Sequence, residues 1–185
     1  MYQTWSHLLF LHWEWDAAAI QRTLPSGLHV DTFGGSAWVG LVPFFMRNIR
    51  PRYLPAVPWV SYFLELNVRT YVHDDEGRPG VWFYSLDCNQ PLAVWTAQTF
   101  FHLPYQHARM TAEFGTGKEI HYRCHRVGAP EALNSVISWE PPPPLPSRAH
   151  WSSSWRSATC FLHTHHAGYS AVRCITSPTP LSRRK

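Results

Sequence analysis

The chain has 185 residues, 45% hydrophobic and 15% charged, which is one ordinary domain with a real core. Its net charge of +4 and pI near 9.0 point first to nucleic acid. That excess is local: residues 1–140 carry ten Lys and Arg against all twelve Asp and Glu, whereas residues 141–185 carry six basic residues and no acid, and a basic tail is not a nucleic-acid-binding body.

The N-terminus, Met1-Tyr2-Gln3-Thr4-Trp5, lacks the basic and apolar regions of a secretory leader. Residues 5–15 read as a first strand. Asp16 then offers an N-cap for a short helix over Ala17–Thr23, closed before Pro25. Leu28–Phe33 and Ser36–Met46 flank Gly34-Gly35, a hairpin signal. Pro51, Pro55 and Pro58 make residues 50–58 an irregular loop. Trp59–His73 is the clearest strand, and Asp74–Arg78 turns it into Pro79–Asp87.

Pro91–Phe101 reads as a helix, with Pro91 in the first turn and Leu92, Trp95, Thr96 and Thr99 at three-to-four spacing. Arg109–Phe114, Gly115-Thr116-Gly117 and Lys118–Arg126 form a further hairpin, and Leu133–Trp139 a last strand. No apolar run approaches the ~20 residues of a membrane helix. Ten Trp, eight Tyr and ten Phe suit half-buried strand surfaces. The expected fold is mainly β (α+β): a closed or nearly closed antiparallel β-barrel with two short helices, over residues 1–140.

Residues 141–185 change character. Four prolines, Pro141 to Pro144, lead into a Ser-, Arg-, His- and Trp-rich tail without acids or apolar periodicity. One reading is a Pro-rich linker with a disordered basic extension. Yet Trp151, Trp155, Cys160, Phe161, Cys174 and Ile175 are poor residues for a solvated tail. Back-translated with permitted codons and read from the third base, residues 165–180 can encode P-R-G-L-F-R-G-A-V-H-H-L-A-Y-P, which looks like a folded domain. The expectation is a frame slip between about Pro141 and Ser147, which leaves the C-terminal part of the fold incomplete. Cys88, Cys124, Cys160 and Cys174 are far apart without a C-x-x-C pair, which reads as reduced thiols in a cytoplasmic protein.

The chemistry concentrates in one strand. Glu65, Asn67, Arg69 and Tyr71 alternate with Leu66, Val68 and Val72, so period two puts the four polar side chains on one face. The opposing strand would show Trp82, Tyr84 and Leu86 on one face and Phe83, Ser85 and Asp87 on the other. Arg69 can hold a carboxylate bidentately. Glu65 can pair with Arg69, or serve as an acid or base once desolvated. The same face can equally be a solvent face with a weak surface pair, or a buried network that aligns strands.

Other motifs carry little. Gly34-Gly35-Ser36-Ala37-Trp38 misses the nucleophile elbow, and Gly115-Thr116-Gly117-Lys118 lacks the phosphate-loop spacing. In a strand, Cys124 points away from His121 and His125, so these three do not share a zinc ion. His163-Thr164-His165-His166 is metal-like only if the tail is native and folded. His12 and His102 read as structural histidines. No metal and no cofactor is expected.

With these residues in view, the chain resembles the YqjF-like family of uncharacterised bacterial proteins over about residues 3–140. The resemblance rests on Leu9-Phe10-Leu11-His12-Trp13, Asp31-Thr32-Phe33-Gly34-Gly35, Trp38-Val39-Gly40-Leu41-Val42-Pro43-Phe44 and Glu65-Leu66-Asn67-Val68-Arg69-Thr70-Tyr71-Val72. It continues through Pro79–Asp87 and Leu103-Pro104-Tyr105. It implies the acetoacetate-decarboxylase-like β-barrel fold. Family members usually end in F-L-x-E-R-Y and V-H-H segments, which the written tail lacks. Acetoacetate decarboxylases carry a Pro-Lys-Lys stretch whose first lysine forms a Schiff base. Here Tyr105 and Gln106 stand in that place, and the chain's two lysines, Lys118 and Lys185, lie elsewhere. Glu65 resembles the position of a decarboxylase glutamate. The expected function is a barrel that binds a small carboxylate-type ligand through Glu65, Asn67, Arg69, Tyr71 and Tyr105, with no nucleic acid or membrane as partner. The alternative is a structural or protein-interaction barrel. A keto-acid decarboxylase is disfavoured because the imine-forming lysine is missing.

Overall fold

The computed structural model describes residues 2–141 and the backbone of two later strands, Ala158–Leu162 and Val172–Ile175. The strands are β1 (Tyr2–Ser6), β2 (Leu9–Trp15), β3 (Leu28–Val30), β4 (Ala37–Arg50), β5 (Phe63–Asp74), β6 (Pro79–Cys88), β7 (Tyr105–Phe114), β8 (Ile120–Arg126), β9 (Ser135–Trp139), β10 (Ala158–Leu162) and β11 (Val172–Ile175). Helix α1 (Ala17–Gln21) follows β2, and α2 (Pro91–Phe101) follows β6. The strands form one sheet in the order β11-β10-β2-β4-β5-β6-β7-β8-β9, with β1 added to β4 and β3 to β5. It is a mostly β, half-barrel sheet with two helices, as expected.

Local chemistry sets the helices. The Asp16 carboxylate accepts the Ala19 N–H at 2.8 Å and caps α1. The Gln90 side chain accepts from the Leu92 N–H, Pro91 opens α2, and His102 closes it in the left-handed region at φ 52°. Only Val94 of α2 is buried, while Leu92 and Trp95 are about half exposed. The helix expected at Pro91–Phe101 is present, but the spaced residues Leu92 and Trp95 are not the ones it buries. Apolar and aromatic residues surround this helix, so spacing alone names no unique inner face.

Several boundaries also differ. The first strand is broken at His7, which has φ 53°, and both halves pair with β4. The hairpin at Gly34-Gly35 is not a strand pair: β3 joins β5, and only a single bridge links Phe33 to Ser36. Trp59 lies in a turn, and β5 starts at Phe63. A short 3-10 turn, Glu131–Leu133, precedes β9. β6 and β7 pair in parallel, because α2 carries the chain back across the sheet between them.

The sheet divides two cores. One gathers Leu66, Ala108, Met110, Ile120, Tyr122 and Trp139. The other gathers Phe10, Val42, Phe44, Phe63, Cys88 and Val94. The buried Tyr122 hydroxyl ties the sheet's far side to its centre by donating to the Glu65 carbonyl at 2.9 Å.

The tail expected as a Pro-rich linker and basic or out-of-frame extension lies outside the described residues, apart from β10 and β11. β10 runs parallel to β2, and β11 antiparallel to β10. The frame slip stays a proposal, tested on the coding DNA: independent reads with a changed base count in the proline codons support it, and an unbroken frame sinks it. For the sheet itself, Tyr122→Phe should lower the unfolding free energy by about 1–2 kcal/mol, read as a lower denaturant midpoint with the m-value unchanged, since it deletes one buried hydrogen bond.

Candidate functional site

β5 positions the site by simple alternation. Its register against β4 is unbroken, with Glu65 opposite Phe44, Asn67 opposite Val42 and Arg69 opposite Gly40. The polar face is therefore the face of the Phe10–Val42–Phe44 core and not a solvent face. Glu65 is 2% exposed, Asn67 1% and Arg69 8%. The row divides into two groups.

At one end, the Tyr105 hydroxyl donates to Glu65 Oε2 at 3.1 Å, and the Asn67 amide also hydrogen-bonds the Glu65 carboxylate. Burial pushes the Glu65 carboxyl up to about 7, against the pull of those two bonds. Burial and the neighbouring carboxylate hold the Tyr105 phenol far above its ordinary range. Cys88 is the register partner of Glu65 and is likewise buried, with its thiol pushed up to about 12, which makes it an inert thiol.

At the other end, Tyr71 meets a residue read from sequence as merely structural. His12 Nε2 lies 2.6 Å from the Tyr71 hydroxyl. Burial and the Arg69 charge lower the His12 pKa to about 4, so the ring is neutral at physiological pH. The Arg69 guanidinium sits over the Phe10 ring at 4.9 Å and over Tyr71 at 5.7 Å. Gly40 is the register partner of both His12 and Arg69. A Cβ there would contact both side chains at 3.4–3.5 Å, so the glycine leaves the gap between them open.

Two sequence expectations are corrected. Glu65 and Arg69 do not pair, because four residues of strand separate them by ~13 Å. The faces of β6 also change partway. Val68 pairs with Ser85 but Arg69 with Phe83, so Tyr84 is a bulge residue. Leu86 and Phe83, expected on opposite faces, both stand beside the polar row, opposite Asn67 and Arg69. The reading of Cys124 holds: it is buried with its thiol toward Asp87, while His121 and His125 bond Ser138 and Asn134. Among the described residues no group of three or more His, Cys, Asp or Glu is placed to hold a metal ion.

The family model DUF2071, described as an uncharacterized conserved protein, matches residues 2–180. The chain belongs to the DUF2071 family. The family resemblance drawn from the motifs is thus correct. The YqjF protein of Bacillus subtilis, itself described as uncharacterized, is 46% identical over 132 residues, which cover 71% of this chain and 54% of the relative. The chain thus spans about half the length of that relative. An acetoacetate decarboxylase-like enzyme from Sphingomonas wittichii matches 93% of this chain and 68% of its own at TM-score 0.52 and 13% identity. The enduracididine biosynthesis enzyme MppR, complexed with a pyruvate condensation product, matches 89% of this chain and 63% of its own at TM-score 0.51 and 14% identity. These neighbours show which fold this chain shares.

Sequence reasoning placed Glu65, Asn67, Arg69, Tyr71 and Tyr105 as candidates but missed Phe10, His12 and Gly40. The available signal was Phe10-Leu11-His12, whose alternation puts an aromatic and an imidazole on one strand face.

The two shifted groups act oppositely on stability. Glu65 has a raised folded pKa, so its burial cost is absent below about 4.5 and complete above about 7: stability falls as pH rises through that window, by about 3 kcal/mol. His12 has a lowered folded pKa, so its contribution is complete above 6.5 and lost as pH falls toward 4. The two slopes oppose each other over about pH 4.5–6.5. Glu65→Gln should therefore steepen the acid loss of stability, and His12→Gln should leave a protein that gains stability as pH falls from 7. Denaturant midpoints measured from pH 4 to 8 check both signs.

Proposed function

We propose that this DUF2071 protein binds a small organic anion at Arg69, with Glu65, Asn67, Tyr71 and Tyr105 lining the contact. One observation carries the reading: a guanidinium 8% exposed, wedged against two aromatic rings, has no carboxylate partner among the described residues. A buried cation without a counter-charge is costly, and a bound anion supplies one. Nearby groups leave that charge intact. His12 is neutral, and Glu65 is too distant along the strand to cancel it. The flanking rings exclude water, which strengthens attraction for a carboxylate. Phe10 and Tyr71 also offer flat apolar surfaces to the organic part of a ligand.

The residues also limit the chemistry. Lys118, the one lysine among the described residues, lies in the β7–β8 turn, so no described lysine stands in the row to form an imine with a keto acid. A Glu65 carboxyl titrating near 7 is suited to donate or accept a proton on a bound acid, and any catalysis would use it so. A pyruvate complex exists for the structural neighbour MppR, a small carboxylate on a related fold. The buried free thiols Cys88 and Cys124 fit the expected reducing, cytoplasmic setting.

A thermal-shift screen of small mono- and dicarboxylates tests the proposal. A binding acid at a hundred times its Kd should add about 2.7 kcal/mol of stability, a shift of several degrees. Arg69→Gln should abolish that shift. If Arg69→Gln changes only the unliganded melting temperature, and no acid stabilises the wild type, the row is a structural network and the barrel acts through its surface.

A further inference from the structure

The polar row contains two unpartnered atoms of opposite hydrogen-bonding sense. Asn67 Oδ1 and Arg69 Nε are both fully buried and without a hydrogen-bond partner among the described residues. Asn67 is 1% exposed and Arg69 8%. They stand two positions apart on one face of β5, about 6–7 Å along the strand. A guanidinium nitrogen only donates, and an amide oxygen only accepts. An anion at Arg69 answers the first atom and leaves the second unanswered.

The Asn67 amide nitrogen is committed to the Glu65 carboxylate, which leaves the oxygen as the unanswered atom. Its cross-strand neighbours, Val42 on β4 and Leu86 on β6, have no side-chain donor. Leaving a buried acceptor unpaired is costly. A buried amide oxygen with no answer among the described residues is an acceptor available to a bound ligand.

Building on the anion reading above, we infer that the ligand is a bifunctional acid: a carboxylate that sits on Arg69, with a hydroxyl or N–H donor a few bonds away that bonds Asn67 Oδ1. Plain alkanoates and acids bearing only a carbonyl lack the second contact. A site with a buried acceptor discriminates strongly, because the analogue without the donor leaves the acceptor unpaired in the complex as well.

Matched pairs test this by titration calorimetry on the full chain: straight-chain acids of three to six carbons with a terminal hydroxyl, each against the unsubstituted acid of equal length. The expected result is that at least one hydroxy acid binds roughly tenfold tighter than its alkanoate, and that Asn67→Leu erases the difference. Equal binding within every pair in the wild type overturns the inference but spares the anion reading. So does a preference that survives in Asn67→Leu. If no acid of either series binds, the anion reading fails and takes this inference with it. The wild-type comparison decides the matter even if Asn67→Leu does not fold, and Asn67→Ala supplies a second variant.

Discussion

The fold is organised around β5, a strand with a packed core on each face. Leu66 lies in one core, while Glu65 and Asn67 on the opposite face stand against the other, alongside Phe44 and Val42. A central strand of this kind normally reads as a continuous apolar run. Here every second residue of Glu65–Tyr71 is polar, so the sheet carries a desolvated row of a carboxyl, an amide, a guanidinium and a phenol. Much of the surrounding structure compensates for that row. Tyr105 arrives at the head of β7 to bond Glu65, His12 on β2 meets Tyr71, and Phe10 covers Arg69.

Several features follow from the need to bring these partners to one strand. α2 returns the chain so that β7 lies parallel to β6, and that crossover places Tyr105 beside Leu86 and within reach of Glu65. The bulge at Tyr84 turns both Leu86 and Phe83 toward the row. Gly40 keeps the strand between His12 and Arg69 bare, so both side chains lean over β4. On the reverse face, Tyr122 anchors the Glu65 backbone carbonyl while the Glu65 side chain is held by Tyr105 and Asn67. The row is thus fixed from both sides of the sheet. Fixed, desolvated polar groups are the arrangement that binding and proton transfer require.

The Asp87–Arg126 pair shows what full compensation looks like. On β6 the buried Asp87 receives Arg126 Nε at 3.0 Å and Nη2 at 2.7 Å, with the Cys124 thiol nearby. That carboxylate and guanidinium answer each other within the chain, and the pair needs no outside partner. Arg69 and Asn67 have no such answer among the described residues. The contrast between the half-exposed Arg126, paired with Asp87, and the buried Arg69 separates a structural ion pair from a candidate site.

The sequence alone determined the mainly β class, the helix at Pro91–Phe101, the turn at Asp74–Arg78 and the shared face of Glu65, Asn67, Arg69 and Tyr71. These depend on period, proline and capping residues, which act over a few positions. The family motifs added the fold. Only the tertiary structure decided that the polar face is buried, that β3 joins β5 and not β4, and that Val94 is the inward residue of α2. It also decided that Glu65 answers to Tyr105, forty residues away, and that Arg69 meets Phe10 and His12 across Gly40. Alternation says which side chains share a face, but it says nothing about what the face packs against. That depends on strand order and crossovers, and those come from contacts between distant segments.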